Sequence, residues 1–471
     1  MTWNPNVIGT RRVRSGRDRR VDHHAQLRHL IDQPVFTVLV EELDSARPPA
    51  ATGRPRRHGN ASLLLLLIAA GSLGSVRRAA NFMKSMNRWE AFRRQLHRHF
   101  PDDPCLRRGA PSPSRSALNT LKNDLDEAVV KRIADRLSED AYALADKIGL
   151  GVNTGTLLDP TRDAILVGDG VAIRSMTRFT PDDRALNLDT GEIQIRRHDP
   201  DAIWNTTGDQ RRVWGTPFAQ LSASTGIANE HVLFATQPVT KSRNEATAAV
   251  EMAAMAKRHL PGFAALAWDK AIRSRHIDRL WDLRIQPLIG VHDKTGRHTD
   301  HFPLGEHTIN GLIVRLVAHR GAVCIPTLTG DLAPLEPVKL AYRPNRREGQ
   351  RVYGTFRVPE GIDCDTRLWN GTVDQRLNSY CRSDVVYGEH VRALTPRSDR
   401  WNRLYGLRSL SESVNAWIQA RLGPDNRSRS LGRKKQWLDL LALQLLRNDQ
   451  TRMLHRERVK RESFAAPPRA A

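Results

Sequence analysis

The sequence predicts an α/β protein whose mixed sheet has flanking helices, is interrupted by a β-rich insertion and is preceded by an all-helical N-terminal domain. Residues 62–150 show the apolar periodicity of helices. From 151 to 291, short apolar runs alternate with helical segments, as in an α/β sheet. From 292 to 400, strand-like runs lie between Gly/Pro turns. At 471 residues the chain is long enough for roughly three domains.

Basic residues outnumber acidic residues by a wide margin. The chain contains 74 Lys and Arg against 51 Asp and Glu, a formal net charge of +23 at pH 7. Such an excess is unusual for an enzyme of small neutral metabolites and favours a polyanionic partner, nucleic acid above all. Four cysteines lie far apart without a C-x-x-C pair, which argues against a zinc ribbon or a disulfide framework and predicts a reducing, intracellular compartment.

Residues 1–61 begin with clustered arginines and end in a Pro/Arg/Gly-rich stretch. We expect a flexible basic arm that binds phosphates; the alternative is a solvated tail. The apolar run 63–70 is shorter than the about 20 residues that a bilayer-spanning helix needs, and it lies too deep in the chain for a secretory signal. The sequence therefore predicts no membrane segment.

Residues 62–150 are predicted to form a helical DNA-binding domain. Its predicted helices are 63–82, 86–100 and 114–148, the last with an expected interruption. In the third helix, Arg115, Asn119 and Lys122 would share one exposed face and contact DNA. The alternative is an ordinary amphipathic helix, and the two interpretations are compatible because the opposite face is apolar.

The remaining chain is predicted to form a core in two parts with an insertion between them. Its divisions are the first part of the core at 151–291, the β-rich insertion at 292–400, the C-terminal helices of the core at 401–450 and a basic tail at 451–471. The predicted core strands are 164–167, 231–236, 263–268 and 286–291, with helices at 244–259 and 272–283. The predicted insertion strands are 309–316, 322–328, 338–342 and 351–358, and the C-terminal helices are 404–422 and 434–446. Alternation of strand and helix in the first part implies parallel pairing with right-handed crossovers.

Two aspartates follow apolar strands of this core. Asp169 comes after 164–167, and Asp269 after 263–268. The carboxyl edge of a parallel sheet is where open α/β folds place their sites, so the two carboxylates can meet there. Two anions at close range need a cation between them, and hard oxygen ligands suit Mg²⁺ or Mn²⁺. Taken singly, an Asp after a strand is more often a turn or helix cap than a catalytic residue.

A polar stripe in the C-terminal helices supplies a third acid. When the segment 405–419 is wound as a helix, its apolar residues gather on one side and a polar stripe forms on the other. The stripe consists of Tyr405, Arg408, Glu412, Asn415 and Gln419. Glu412 would complete a carboxylate triad, and Arg408 and Tyr405 would hold phosphates. The alternative is an exposed face with an Arg408–Glu412 pair worth about 0.3–0.5 kcal/mol.

Over roughly 160–450 the sequence resembles the DDE-type transposases of bacterial cut-and-paste insertion sequences. The resemblance lies in the strand–helix order, the Gly168-Asp169-Gly170 turn, and Asp269 in its Trp-Asp-Lys-Ala context. One branch of that family carries a Tyr-x2-Arg-x3-Glu-x6-Lys signature after a β-rich insertion. The corresponding residues here are Tyr405, Arg408 and Glu412, with Gln419 at the Lys position and Arg421 two residues further on.

The resemblance implies an RNase H-like core and a catalytic triad of Asp169, Asp269 and Glu412 that binds two Mg²⁺ or Mn²⁺ ions. One ion would activate water or a DNA 3′-hydroxyl, and the other would stabilise the leaving oxygen. The implied DNA contacts are Tyr405, Arg408, Gln419 and Arg421. The implied partners are double-stranded DNA, both transposon ends and target, and a second copy of the chain in a homodimeric synaptic complex. The implied location is the bacterial cytoplasm, in association with the nucleoid.

Two other functions remain open on the sequence. One is a non-catalytic DNA-binding protein, a degenerate relative of transposases, and the other is an RNase H-like nuclease without transposition. A zinc site at His298 and His301 lacks a strong fourth ligand, which favours a polar loop there. Trp369 in the insertion is a candidate for stacking on an extruded base, with core packing as the alternative.

Overall fold

A computed structural model describes residues 22–47, 56–188, 190–206, 212–240, 244–291, 301–345, 349–379 and 386–465. The helices are His23–Ile31 (α1), Pro34–Ala46 (α2), Asn60–Leu73 (α3), Val76–Lys84 (α4), Met86–His99 (α5), Arg115–Asp124 (α6), Glu127–Lys147 (α7), Glu245–His259 (α8), Arg275–Asp282 (α9), Tyr387–His390 (α10), Asp399–Tyr405 (α11), Ser409–Gln419 (α12) and Arg433–Ala465 (α13). The strands are Ile165–Arg174 (β1), Arg184–Leu186 (β2), Ile193–Ile195 (β3), Ile203–Thr206 (β4), Arg212–Ser224 (β5), His231–Pro238 (β6), Ala265–Ala267 (β7), Gln286–Leu288 (β8), Phe302–Ile309 (β9), Leu312–His319 (β10), Ala322–Pro326 (β11), Leu332–Pro334 (β12), Glu336–Asn345 (β13), Gly349–Arg357 (β14) and Thr372–Arg376 (β15). The protein is therefore a mixed α/β fold.

The central sheet is mixed. β1 lies between β5 on one side and β7 on the other, and β8 follows β7. β1, β7 and β8 are parallel, whereas β4 and β6 both pair antiparallel with β5, which is itself antiparallel to β1. The parallel pairing expected from strand–helix alternation thus holds for β7 and β8 but is wrong for β6. The reason is β5, which the sequence analysis missed and which separates β6 from β1.

Two apolar cores lie against this sheet. One joins α8 and α9 to the sheet and to the insertion, and it includes Val232 and Phe234. The other joins the N-terminal helices to α12 and α13, and it includes Leu233. Because successive residues of a strand point to opposite faces, β6 contributes to both cores. The N-terminal helices therefore pack on the same body as the sheet.

The long helix α13 covers the edge strand β6. Asn448 donates to the carbonyl of Leu233 at 3.0 Å and accepts from the N–H of the same residue at 2.9 Å. Gln444 donates to the carbonyl of Phe234 at 3.0 Å. These amides complete hydrogen bonds that a neighbouring strand would otherwise make. The predicted basic tail at 451–471 is helical as far as residue 465, as the continuation of α13, and residues 466–471 lie outside the described residues.

The expectation of a flexible arm over residues 1–61 is wrong for the part that the structure describes. Residues 22–47 form α1 and α2, whose apolar faces enter the second core. Asp22 caps α1 by accepting from the N–H of His24 at 3.0 Å, and Pro34 begins α2. The predicted arm at 1–21 and at 48–55 lies outside the described residues.

A sharp corner separates α3 from α4. Every residue from Asn60 to Gly71 in α3 is buried, which explains the all-apolar run in the sequence. Gly74 takes a left-handed conformation with φ of 70° at the corner, and Ser75 then caps α4. Among the described residues no single helix is long and apolar enough to cross a bilayer, although α3 and α4, bent by 116°, reach that length and composition together.

The insertion is β-rich, as predicted, over its described residues. It forms one sheet in the order β12-β11-β10-β9 and a second in the order β13-β14-β15. The predicted strand 309–316 is wrong, because Asn310 and Gly311, both at positive φ, form the turn between β9 and β10. The predicted strand included this turn because apolar residues lie on both sides of it in the sequence.

The sequence predicts that Lys122 shares an exposed face of its helix with Arg115 and Asn119. This prediction is wrong for Lys122, which is buried. Its side chain is 3% exposed, and its Nζ lies 2.5 Å from Asp439 Oδ1 on α13. It also donates to Ser430 Oγ at 3.1 Å. The buried ion pair ties α6 to α13, whereas Arg115 and Asn119 are exposed.

We expect Lys122→Met to lower the free energy of unfolding by about 3–5 kcal/mol, because the buried Asp439 loses the cation that hydrogen-bonds to it. Arg115→Met, on the exposed face of the same helix, should change it by less than about 0.5 kcal/mol. Urea titration followed by circular dichroism measures both. A Lys122→Met protein as stable as the wild type would contradict the structural role of this pair.

Candidate metal centre

The register of the parallel strands brings two aspartates together. Val167 of β1 pairs with Ala267 of β7. Asp169 and Asp269 each lie two residues further along their chain segments, so they are neighbours across the strand pair. Asp269 lies just beyond the carboxyl end of β7, and its Oδ1 accepts from the N–H of Ala271 at 2.8 Å. This is the edge at which open α/β sheets place their sites.

The third carboxylate at this point is Glu245, not the predicted Glu412. Asp169, Glu245 and Asp269 each offer an oxygen within 4.8 Å of the other two. Glu245 is the first residue of α8, directly after the capping residue Asn244. Its Oε1 accepts from the indole N–H of Trp268 at 2.9 Å, which aims the carboxylate at the two aspartates.

Two glycines beside Asp169 make room for this arrangement. A Cβ on Gly170 would lie 2.3 Å from Glu245 Oε2, and a Cβ on Gly168 would lie 2.0 Å from Trp268 Cζ3. The predicted Gly168-Asp169-Gly170 turn is wrong, because all three residues lie within the continuous strand β1. The glycines therefore allow a close approach of neighbouring side chains and do not form a turn.

Burial and mutual repulsion raise the pKa of two members of the group. Burial raises the pKa of Asp169 to about 6, with Asp269 and Glu412 acting in the same direction and Arg408 opposing them. Burial raises the pKa of Glu245 to about 7, with Asp269 acting in the same direction and the Trp268 hydrogen bond opposing it. The ionised carboxylates thus lack sufficient positive charge around them.

The polar face of α12 borders the group, and Glu412 lies there. Arg408 Nη1 lies 3.1 Å from Glu412 Oε1, and its Nη2 lies 3.6 Å from Asp169 Oδ1. Glu412 is therefore joined to Asp169 through one guanidinium, with its own side chain 60% exposed. Asn415 donates to Asp169 Oδ2 at 3.3 Å. The polar stripe therefore lies at the rim of the carboxylate group.

The other predicted DNA contacts occupy different positions. Tyr405 stacks on Trp401 with ring centroids 4.2 Å apart, and burial raises its pKa, with Asp269, Asp169 and Glu412 acting in the same direction and Arg408 opposing them. Gln419 ends α12 and is partly buried. Arg421 lies over the ring of Trp417 at 3.9 Å, beyond the end of α12. Arg115 and Asn119 belong to the N-terminal helices and are not among the residues in contact with the carboxylates.

The other sequence candidates do not add to this group. Trp369 packs partly buried against the first core and donates to the carbonyl of Ile362 at 3.2 Å, in agreement with core packing. His298 lies outside the described residues, and His301 stacks on His319 at 5.1 Å. Over the described residues, the carboxylate group is the one cluster with metal-ligand spacing.

A large cavity separates the core from the insertion next to this group. Its volume is about 610 Å³, and its lining includes Lys270, Arg320, Arg397 and Trp401. Lys270 directly follows Asp269, and Trp401 stacks on Tyr405. The cavity lining thus combines three basic side chains and an aromatic ring with one acid, Glu389.

The donor set fits a hard divalent cation. All three groups offer carboxylate oxygens, which Mg²⁺ and Mn²⁺ prefer, and no sulfur or imidazole ligand belongs to the described group. Burial, with a smaller contribution from neighbouring acids, raises the pKa of Asp169 and of Glu245, and a cation at this point would favour the ionised form of both groups. The residues therefore fit magnesium or manganese.

Comparison with known proteins adds one distant likeness. No family model matches this chain, and no curated protein matches it. Among solved structures, it is similar to a piggyBac transposase in a synaptic complex with hairpin DNA, with 11% identity over 95% of this chain and 86% of that chain and a TM-score of 0.27. A superposition this loose carries no argument about the present chain.

Sequence reasoning missed Glu245 because an acid in the first turn of a helix is usual on electrostatic grounds alone. Only its neighbours distinguish it, namely Trp268 on one side and Gly170 on the other. Those contacts join residues far apart in the chain, so the sequence offered no local signal.

The metal-free protein should lose stability as the pH rises from about 4 to about 7. In the folded state Asp169 and Glu245 keep protons that the unfolded chain has already released, so unfolding is favoured progressively over that range. Mn²⁺ should raise the melting temperature more at pH 8 than at pH 5, because only the ionised carboxylates bind it. Thermal melts in EDTA and in Mn²⁺ measure both. The Asp169→Asn/Glu245→Gln protein should show neither dependence; if it keeps both, the assignment is wrong.

Gly170→Ala should weaken Mn²⁺ binding by about 10–100-fold, because its Cβ displaces the Glu245 carboxylate. Gly406→Ala is the matched control, since a Cβ there meets nothing within 4 Å. Isothermal titration with Mn²⁺ measures both affinities. Equal affinities for the two variants would show that Glu245 does not bind the ion.

Proposed function

We propose that the protein is a DDE-type DNA transposase that binds the ends of its element and catalyses divalent-metal-dependent cleavage and strand transfer. The observation that carries the proposal is the group of three carboxylates within 4.8 Å of one another in a chain with a net charge of +23. Carboxylates at this spacing are suited to binding hard cations, and the basic surface is suited to DNA.

The strand order is consistent with an RNase H-like core. An antiparallel group, β5 and β6, lies on one side of β1, and the parallel strands β7 and β8 lie on the other. In such a core one acid lies on the central strand and another beyond the next parallel strand. Asp169 and Asp269 occupy these two positions.

The side chains of this chain have separate roles in the proposed reaction. Asp169 and Asp269 would hold the metal ions, and Glu245 would supply a third carboxylate. When bound, the ions supply the Lewis acidity that activates a water or a DNA 3′-hydroxyl and stabilises the leaving oxygen. Arg408 and Tyr405 orient the phosphodiester, Arg because its planar fork matches two phosphate oxygens. Trp268 holds Glu245 in place through its indole N–H.

Glu412 enters this scheme through Arg408. In the metal-free protein Arg408 lies against both Asp169 and Glu412, and its Nε is buried without a hydrogen-bond partner in the described structure. A phosphate would offer that Nε an acceptor and draw the guanidinium away from the acids. Glu412 would then be free to join Asp169 and Asp269 as a metal ligand, as the family resemblance implies.

Asp169→Asn and Asp269→Asn should each reduce cleavage by about 100-fold or more while DNA binding persists, because each removes a shared metal ligand. The substrate is a plasmid that carries the DNA flanking both ends of the coding region, incubated with the full chain and Mg²⁺ or Mn²⁺. Gel electrophoresis resolves nicked, linear and joined products, and fluorescence anisotropy measures DNA binding.

Glu360→Gln is the matched control, because Glu360 is exposed in the insertion. Glu412→Gln should bind Mn²⁺ like the wild type without DNA but lose cleavage, whereas Glu245→Gln should lose Mn²⁺ affinity in both states. Full cleavage by both aspartate variants would reject the proposal. Cleavage without joined products would indicate a nuclease, and salt-sensitive binding without cleavage would indicate a non-catalytic DNA-binding protein.

A further inference from the structure

The corner between α3 and α4 has the geometry of a helix-turn-helix. α3 is buried from Asn60 to Gly71, the turn consists of Gly74 and Ser75, and the axes differ in direction by 116°. Helix pairs of this kind cross at about 90–120° and present the second helix to the major groove of DNA. α4 occupies the position of that second helix.

The surface of α4 fits a DNA groove. Its buried residues are Ala79, Ala80 and Met83, so the helix rests on the domain through small and apolar side chains. Its exposed residues include Arg77, Arg78, Asn81 and Lys84. Positions 77, 81 and 84 form one stripe at helical spacing, and the helix carries no acidic residue. Arg and Asn are the side chains that bind guanine and adenine edges in pairs of hydrogen bonds.

α6 carries a similar Arg–Asn pair, but its exposed polar stripe is shorter than that of α4. Arg115 and Asn119 repeat the Arg-x3-Asn spacing of Arg77 and Asn81, and both are exposed. The cation one turn further on, Lys122, is instead buried against Asp439. The exposed stripe of α6 therefore stops after two side chains, whereas that of α4 continues to Lys84.

A second cavity connects α4 with the end of α12. Its volume is about 540 Å³, and its lining includes Ser75, Arg78 and Arg421. The carbonyl of Trp417 accepts from Arg421 Nη1 at 3.1 Å, which fixes the guanidinium at the cavity. Burial lowers the pKa of Arg421. Two cations thus face one polar cavity, which suits a phosphate group.

We propose that α4 enters the major groove of the element's terminal DNA, with Arg77, Asn81 and Lys84 at the base edges and a backbone phosphate held between Arg78 and Arg421. The inference rests on the proposed function and specifies which helix reads the DNA ends. α12 joins the two sites: Arg408 lies at its start and Arg421 just past its end. At about 1.5 Å per residue this separation is about 20 Å, or about six base pairs of B-form DNA.

The test is a selection from a pool of random 30-base-pair duplexes with the wild-type chain, followed by binding of the enriched duplex and of an unselected duplex. Arg77→Ala/Asn81→Ala should reduce the preference for the enriched duplex by about 10-fold or more. Arg78→Ala and Arg421→Ala should each weaken binding to both duplexes and lower the salt slope by about one. Arg115→Ala/Asn119→Ala is the matched control and should stay within about 2-fold of the wild type.

Mn²⁺ affinities of these variants should match the wild type, since every substituted residue lies away from the carboxylates. Melting temperatures should also match for the variants at exposed positions, whereas Arg421→Ala should melt lower because Arg421 is half-buried and packs on Trp417. That readout separates this inference from the proposed function, which fails if Mn²⁺ binding or cleavage is missing. Loss of preference in the α6 double variant, with preference kept in the α4 double variant, would overturn the inference. So would the absence of any enriched sequence, or preferential binding of RNA duplexes.

Discussion

The site depends on one unfavourable electrostatic arrangement. Asp169, Glu245 and Asp269 lie close together in a partly buried position. The neighbouring cation Arg408 contacts both Asp169 and Glu412. Each carboxylate is held in place separately, which is why the fold tolerates this repulsion. The register of β1 against β7 positions Asp169, the indole N–H of Trp268 positions Glu245, and the backbone N–H of Ala271 positions Asp269. Binding of a cation between the carboxylates would remove this repulsion, so the site favours cations.

The sequence predicts those parts of this centre that depend on residues near one another in the chain, and it misses the parts that depend on distant residues. Asp169 and Asp269 were identified because each follows an apolar run, and their distance then depends only on which strands are neighbours. Glu245 was missed because its role depends on contacts with residues distant in the chain. The glycines beside Asp169 were noticed but explained wrongly, since a turn and a close approach leave the same pattern in the sequence.

The same distinction holds for the fold. In the N-terminal domain the predicted helix 86–100 matches α5, whereas 63–82 spans the corner between α3 and α4, and 114–148 spans the break between α6 and α7. Periodicity, Ser caps and prolines are local signals that locate helical segments, but the apolar pattern continues across both breaks. β5 was missed because this buried strand contains Gly215, Pro217 and the polar residues Gln220 and Ser222, which resemble a loop. Lys122 was assigned to the surface because a lysine is rarely buried, and its partner Asp439 lies in a helix more than three hundred residues away.

The hydrogen bonds from α13 to β6 also restrict how copies of this protein can assemble. An open strand edge is the usual route by which one sheet extends into another molecule, and here amide side chains already occupy part of that edge. Growth of a continuous intermolecular sheet from β6 would first require α13 to detach, together with the apolar core beneath it. A contact that extends the sheet from one copy into another would therefore have to use a strand other than β6.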